Sequence, residues 1–529
     1  MISATSLSPI DRPTLLNVRF LRGIRRLFAA AILSMLVTST PAVADVILPK
    51  IIGDHMVLQR GVPAPVWGWA DSGEEVTVEF AGQVQKATPG ADRKWMVTLD
   101  PLEASSEPRV LTIQGKNKIA INDVLVGEVW LAAGQSNMEW TFNRVAPEEW
   151  TEAQTHKGNN LVRAFHVSEH LQAGVPMDDT IGRWRTCPDI LEFSDSISAV
   201  GFFFALTLQK ELGVPVAILD SNWGGQRIET FIPVEGFKAA GIPHKIHQRP
   251  QHPDVAAKTL EKLSEAVTQS ANAAQNGIKI AVLAANPFGN AENFIHNAMV
   301  APLTPYAIRG AIWYQGESNR GANDYFQKLQ ALSAGWSHAF GVKNIPLIQV
   351  QIAPFDYSRG KNLNESTLCD TIWTAQYRGA KEIPGMGVVP IHDTNIDIKD
   401  IHPKHKKPVG ERLAAHALKH QYGKAVAATG PRFDKASLTG DKVIVSFVDI
   451  DQGLTTPNGE APTCFELSLD GKTFAPANAV LEGNTVVVAG MEGTTPKFVR
   501  MGWKDTAIPN LKDKNGWPVF AFPSSPVAQ

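Results

Sequence analysis

Cysteine is scarce: Cys187, Cys369 and Cys464 are the only three in 529 residues. Three widely spaced thiols make neither a disulfide framework nor a metal ribbon, and a single bridge would leave one of them free. No Cys-x-His pattern points to a thiol nucleophile. Excess charge of either sign is missing as well. The formal net charge is -2, which gives no reason to expect nucleic acid or an anionic membrane as a partner. The phosphate-cradling GxxxxGK[ST] loop and the HExxH zinc motif are absent. No basic run interleaved with aromatics occurs. The apolar run near the start, "LFAAAILSMLV", is eleven residues long, short of the roughly 20 that cross a bilayer.

That run makes sense as part of a leader. "RGIRR" precedes it and "PAVA" follows it, the order of a charged region, an apolar region and a small-residue cleavage site. Residues 1–44 are therefore expected to be a signal peptide cleaved near Ala44, and the protein to be exported to the periplasm or beyond. A chain that is 44% hydrophobic over this length buries a large core and is expected to form more than one domain. Thirteen tryptophans supply flat faces of the kind sugars stack on, although most tryptophans serve the core.

Both ends of the mature chain read as β-structure. "EEVTVEF" and "KWMVTLD" alternate Val76, Val78, Phe80 and Trp95, Val97, Leu99 between turn residues, and "KVIVSFVDI", "CFELSLDG" and "NTVVVAG" do the same near the end. The middle differs. Short apolar runs ("EVWLAAG", "LVRAFHV", "PVAILDS", "GAIWYQG", "PLIQVQI", "GVVPI") alternate with helical stretches such as "VGFFFALTLQKELG" and "KTLEKLSEAVTQSANAAQNG". Strand and helix in succession imply a parallel sheet covered on both faces. The expected domains are thus a β-rich one over 45–126, an α/β one over 127–427 and a second β-rich, sandwich-like one over 428–529.

Ligands of an open parallel sheet bind beyond the carboxyl ends of its strands. In "GEVWLAAGQSNMEW" a buried strand delivers Ser136 to that place. Ser136 or Asn137 capping the next helix is the plainer use of such residues. A serine nucleophile also needs a base, an orienting carboxylate and donors for the oxyanion. "DIHPKHKK" offers Asp400 and His402, two residues apart in an extended stretch and so on one side, with Pro403 restraining the backbone of His402. His405 is the rival base, set among lysines expected to be solvated. "SNWGGQ" offers the N–H groups of Gly224 and Gly225. In "WYQGESN" the Gln315 amide can meet developing negative charge, whereas Glu317 would repel it and reads as a brace for the loop.

Gly-Gln-Ser-Asn-Met, Trp-Gly-Gly, Trp-Tyr-Gln-Gly-Glu-Ser-Asn and Asp-Ile-His-Pro, in that order, resemble the sialate O-acetylesterases of the SGNH hydrolase superfamily. "MVLQR", "NAMVAPL" and "NLKDKNGWPVFAF" extend the resemblance over nearly the whole mature chain. It implies a flavodoxin-like α/β fold with flanking β-rich domains. It also implies Ser136 as nucleophile, His402 as base and acid, and Asp400 as its orienting carboxylate. The N–H groups of Ser136 and of Gly224 or Gly225, with the Gln315 side chain, would form the oxyanion hole. Asn137, Trp223, Gln226, Glu317 and Asn319 are the candidate substrate contacts. Gln226 stands where the family usually has Thr, and Trp373 in "TIWTAQYRGA" near where it tends to have Arg; both departures bear on the substrate.

The expected activity is removal of O-acetyl groups from a carbohydrate, without cofactor or metal. Sialate is the namesake substrate, and acetylated xyloglucan, xylan and pectin are alternatives. Two other readings compete. His244, His247 and His252 cluster in "PHKIHQRPQHP", a Pro-rich loop that lacks a metal motif. A non-catalytic carbohydrate-binding protein would explain the β-rich ends and the tryptophans, but not Ser, Asp-x-His and Gln at the ends of separate strands.

Overall fold

The computed structural model describes residues 45–244, 290–358, 366–395, 397–490 and 493–529. The expected leader, the helix expected over 258–277, His247 and His252 lie outside them. At the centre is a sheet of seven strands: β1 (Lys118–Gly134), β2 (Val162–Val167), β3 (Gly182–Thr186), β4 (Val216–Asn222), β5 (Gly310–Tyr314), β6 (Leu347–Val350) and β7 (Met386–Val389). Their order is β7–β6–β5–β1–β4–β2–β3. All neighbours run parallel except β3, which lies antiparallel on β2. The chain lays β2 and β3 on one side of β1, returns to insert β4 beside β1, then crosses to the other side at β5. The carboxyl end of β1 therefore sits where the strand order reverses, the usual place for a ligand in such sheets.

Five helices matter to the site: α1 (Ser136–Glu139), α2 (Ala199–Leu212), α3 (Tyr325–Ala339), α4 (Thr374–Glu382) and α5 (Lys407–Tyr422). Ser198 caps α2 by accepting the Gly201 N–H, and Gly213 ends it at φ 66, the left-handed turn that glycine takes without strain. Phe202, Phe203 and Phe204 point in different directions around α2, and all three are buried. A helix apolar on every side must be covered on every side. It packs against both the sheet and α5, and each Phe removed from water contributes roughly 2 to 3 kcal/mol. Trp130 of β1 meets Phe204 of α2 and donates its indole N–H to Tyr422 at the end of α5. Trp313 of β5 pairs in register with Ala133, so it points to the opposite face, where it packs on Trp336 of α3. Helices thus cover both faces, as the apolar strand runs require.

The first part of β1 belongs to a second sheet, with Val57–Gln59 parallel to Leu125–Gly127 and Ser105–Gln114 antiparallel on its other side. The boundary expected between residues 126 and 127 falls inside this one continuous strand. Residues 432–528 build an eight-stranded sheet, antiparallel apart from the pairing of Arg432–Thr439 with Phe522–Ala528, over a core of its own that includes Val445, Leu467, Val486 and Phe522. The three cysteines are free thiols, and no pair of them bridges.

Candidate active site

Three loops leave the sheet side by side, because Asn222, Gly134 and Tyr314 end β4, β1 and β5 in one register row. Gly134 is needed there. Its φ is 153, and a Cβ would lie 2.3 Å from the Tyr314 carbonyl oxygen. The Gln135 and Trp223 N–H groups then bond to the Tyr314 and Gly134 carbonyls at 3.0 and 3.1 Å. The chain turns at once into α1, whose first residue is Ser136, half-buried. An N–H at the first helical position has no intrahelical acceptor.

The loop between β7 and α5 brings His402 over Ser136, with Nε2 2.9 Å from the Ser136 Oγ. Asp400 Oδ1 accepts the backbone N–H of His402 at 2.9 Å and stands 3.8 Å from its Nδ1. The segment is a turn rather than the extended stretch expected from Asp-x-His. It brings the carboxylate to the correct edge of the ring at ion-pair distance, outside hydrogen-bond range. Trp140, at the end of α1, stacks on the imidazole with ring centroids 4.3 Å apart and planes 19° from parallel. Burial holds the His402 pKa below the ordinary histidine value; Lys406 and Arg144 push the same way and Asp400 opposes them. The ring is therefore disposed to be neutral and able to take a proton. His405 faces Glu149 and Glu148 at 3.6 and 3.9 Å instead.

The expected oxyanion donors are arranged differently from the sequence reading. The Gly224 N–H donates to Glu139 Oε2 at 2.6 Å, and Glu139 Oε1 in turn meets His170 Nε2 at 2.7 Å. A Cβ on Gly224 would lie 3.3 Å from the Ser136 Cβ, so this backbone does run against the serine, as paired glycines permit. Gly225 takes a left-handed turn at φ 72. Gln315 is fully buried, and its Nε2 lies within donating distance of three oxygens: Gln135 Oε1 (3.1 Å), the Gln226 carbonyl (3.2 Å) and Asn319 Oδ1 (2.7 Å). Its own Oε1 accepts the Tyr325 hydroxyl. An amide with two hydrogens and three acceptors has none left for a substrate. This corrects the expectation for Gln315: it is a brace beneath the site.

The expected substrate contacts are likewise mostly framework. Asn137 does not cap α1, since Gln135 holds the N-cap position. Its Nδ2 donates to Glu317 Oε1 and to the Ile401 carbonyl, and its Oδ1 accepts from Lys406. Glu317 also takes the Gln135 amide, the bracing role its position suggested. Burial raises its pKa, against the hydrogen bonds from Asn137 and Gln135 and the charge of Lys406. Asn319 joins Gln315 to Glu229, and Gln226 is buried. Trp223 stacks on His170 at 4.8 Å. Trp373 belongs to the core, where it packs on Trp503 and donates to the Ile352 carbonyl. Trp140, Glu139, His170 and Lys406 escaped the sequence reading, and Lys406 looked like one more solvated lysine.

Together these groups set a serine and a histidine in contact beside backbone donors, which suits attack on an ester carbonyl. Comparison with known proteins points the same way. A family profile described as a carbohydrate esterase, sialic acid-specific acetylesterase, matches residues 255–419. Sialate O-acetylesterase of Rattus norvegicus is 28% identical over 456 residues, 79% of this chain and 81% of that protein. The Homo sapiens enzyme of the same name is 27% identical, covering 76% of each. The crystal structure of a carbohydrate acetylesterase from Xanthomonas citri superimposes with a TM-score of 0.74 at 29% identity, over 90% of this chain and 99% of that one. The chain is similar to the sialate O-acetylesterases over most of its length and is a carboxylic ester hydrolase.

Proposed function

We propose that this protein is an exported serine esterase that removes O-acetyl groups from a carbohydrate through an acyl-enzyme, on an SGNH-type sheet. The observation that carries the reading is the 2.9 Å contact between Ser136 Oγ and His402 Nε2 at the reversal point of the sheet. His402 takes the hydroxyl proton as Oγ attacks the acetyl carbonyl, then hands it to the departing sugar oxygen. Water, deprotonated by the same ring, releases acetate and restores Ser136. Asp400 stabilises the imidazolium formed in each half. The Ser136 N–H and the Gly224 N–H receive the oxyanion. Glu139 must leave Gly224 when the carbonyl oxygen arrives, since one N–H cannot serve both.

Acetate release across O-acetylated sialic acid, xylan, xyloglucan and pectin identifies the sugar. The mammalian relatives are sialate esterases by name, and sialate is the first substrate to assay. Ser136→Ala should abolish release, since triad losses cost on the order of a millionfold in serine hydrolases. His402→Ala should be comparably damaging and His405→Ala mild. A Ser136→Ala protein that keeps a few per cent of wild-type rate, or a reversal of the two histidines, overturns the assignment.

A further inference from the structure

Lys406 is fully buried, although it stands within the basic run "HPKHKK". Its Nζ donates to Asn137 Oδ1 at 2.6 Å and lies 5.5 Å from the ring centroids of both Trp140 and Tyr314. The other end of the same amide donates to Glu317 Oε1 at 2.6 Å and to the Ile401 carbonyl at 3.1 Å. Asn137 follows Ser136 in the chain, and Ile401 precedes His402. One amide thus laces together the two loops that carry the reactive pair.

An amide of this shape fits its pocket in two orientations, related by exchange of its oxygen and nitrogen. An ammonium has donors and no acceptor, so Lys406 admits only the orientation with Oδ1 toward it. The other would set two donors against each other at Lys406, and two acceptors against each other at Glu317 and at the Ile401 carbonyl. Methionine in place of Lys406 would fill much of the space but leave Oδ1 without its donor, so that Glu317 and the Ile401 carbonyl hold the amide by its Nδ2 alone.

We propose that Lys406 is a positioning residue for ester hydrolysis, whose ammonium fixes the Asn137 amide that joins the Ser136 turn to the His402 loop and supports the Trp140 ring on which His402 stacks. This rests on the reading of Ser136 and His402 as the reactive pair. The charge has a second effect. Lys406 is faced by Glu317 from the loop after β5, by Glu149 from the helix Pro147–Gln154 and by Asp400 from its own loop. Burial presses its pKa down to about 7, against the pull of these carboxylates, so the ammonium is present over the lower pH range in which His402 titrates. His402 is faced by Lys406, by Asp400 and by Arg144 from the turn Phe142–Arg144, with Ser136 and Trp140 in contact. A cation at Lys406 opposes protonation of His402, so removing it lets His402 hold its proton to higher pH.

The test compares Lys406→Met, Lys406→Arg and wild type with p-nitrophenyl acetate, recording kcat, KM, the pH midpoint of kcat/KM and the melting temperature. Lys406→Met should lose roughly ten- to a hundredfold in kcat with KM within about threefold, because the reactive atoms are misplaced rather than the substrate released. Its pH midpoint should rise by several tenths of a unit. Lys406→Arg, which keeps the charge, should return the midpoint toward wild type. If Lys406→Met does not fold, Lys406→Met with Glu317→Gln removes both buried charges together and should show the same kcat loss. A folded variant with kcat within about threefold of wild type and an unmoved midpoint overturns the proposal. Labelling with a fluorophosphonate separates the two readings. Wild-type protein unmodified at Ser136 sinks the assignment of the pair, whereas normal labelling with unchanged Lys406→Met kinetics sinks only the role of Lys406.

Discussion

The imidazole of His402 and the indole of Trp140 lie nearly parallel, 4.3 Å apart. The indole N–H is held by the Arg144 carbonyl at 2.9 Å, so the platform itself is anchored. A ring that must accept a proton from Ser136 and pass it on gains from having few other orientations.

Trp140→Leu should therefore lower kcat/KM for a small acetate ester by up to about tenfold, as expected from an aromatic stack worth roughly 0.5 to 1.5 kcal/mol. Trp140→Phe should recover much of the loss. Kinetics on both variants, with melting temperatures alongside, check this. Equal rates in all three proteins would show that the stack has no part in orienting His402.

The pH profile follows from the lowered pKa of His402. The neutral ring is the base, so kcat/KM should rise with pH and reach half its plateau below the ordinary histidine value of about 6.5. A midpoint above that value would mean that Asp400 outweighs burial and the two neighbouring cations.

Gln315→Ala should be mainly a stability variant. Truncation leaves the Gln226 carbonyl without its donor. Gln135 Oε1, Asn319 Oδ1 and the Tyr325 hydroxyl each lose one partner and keep another, the Ser318 N–H, the Ile228 N–H and the residue-315 carbonyl. An unsatisfied buried group costs about 1 to 3 kcal/mol, so a loss of roughly 1 to 3 kcal/mol is expected. Denaturant unfolding measures it. An oxyanion donor would behave otherwise, with stability unchanged and kcat reduced a hundredfold or more.

Acid should weaken the fold through buried histidines that the folded chain keeps neutral. Burial depresses the pKa of His296 to about 3 and of His392 to about 4. The unfolded chain binds these protons from about pH 6.5 downward, whereas the folded chain does not. Stability that is fully present above that pH is lost as pH falls toward 4, by about 1.4 kcal/mol per unit for each such group. Melting curves between pH 7 and 5 should show the decline, and His392→Gln, if folded, a shallower one.

The reactive pair was legible in the sequence because each member sits where a local pattern changes: Ser136 where an apolar strand stops, His402 two residues after an aspartate and before a proline. The parallel sheet was legible for the same reason, since runs of buried residues in β4 and β5 have no solvated face to interrupt them. The frame beneath the site was not. Lys406 and Glu317 are partnered through Asn137, across separations of 269 and 180 residues, and no periodicity records such a pairing. The role of Gln315 was misjudged because its strand-end position suits a donor equally well whether its acceptors are a substrate or Gln135, Gln226 and Asn319. The domain boundary at 126/127 was drawn where the pattern shifts from alternating to continuous, a shift β1 makes without ending.

That unbroken strand bears on how the molecule moves. Asp123, in the first half of β1, has φ 55, the one non-glycine residue of the strand with a positive φ. Arg163 grips it there through both carbonyl and carboxylate, at 2.6 and 2.9 Å, and His55 holds the other carboxylate oxygen at 2.6 Å. The joint is welded. The strand runs unbroken from the N-terminal sheet to the Ser136 turn. The N-terminal sheet therefore works as a keel for the nucleophile, and excising it would remove the edge partners that hold half of β1 in line.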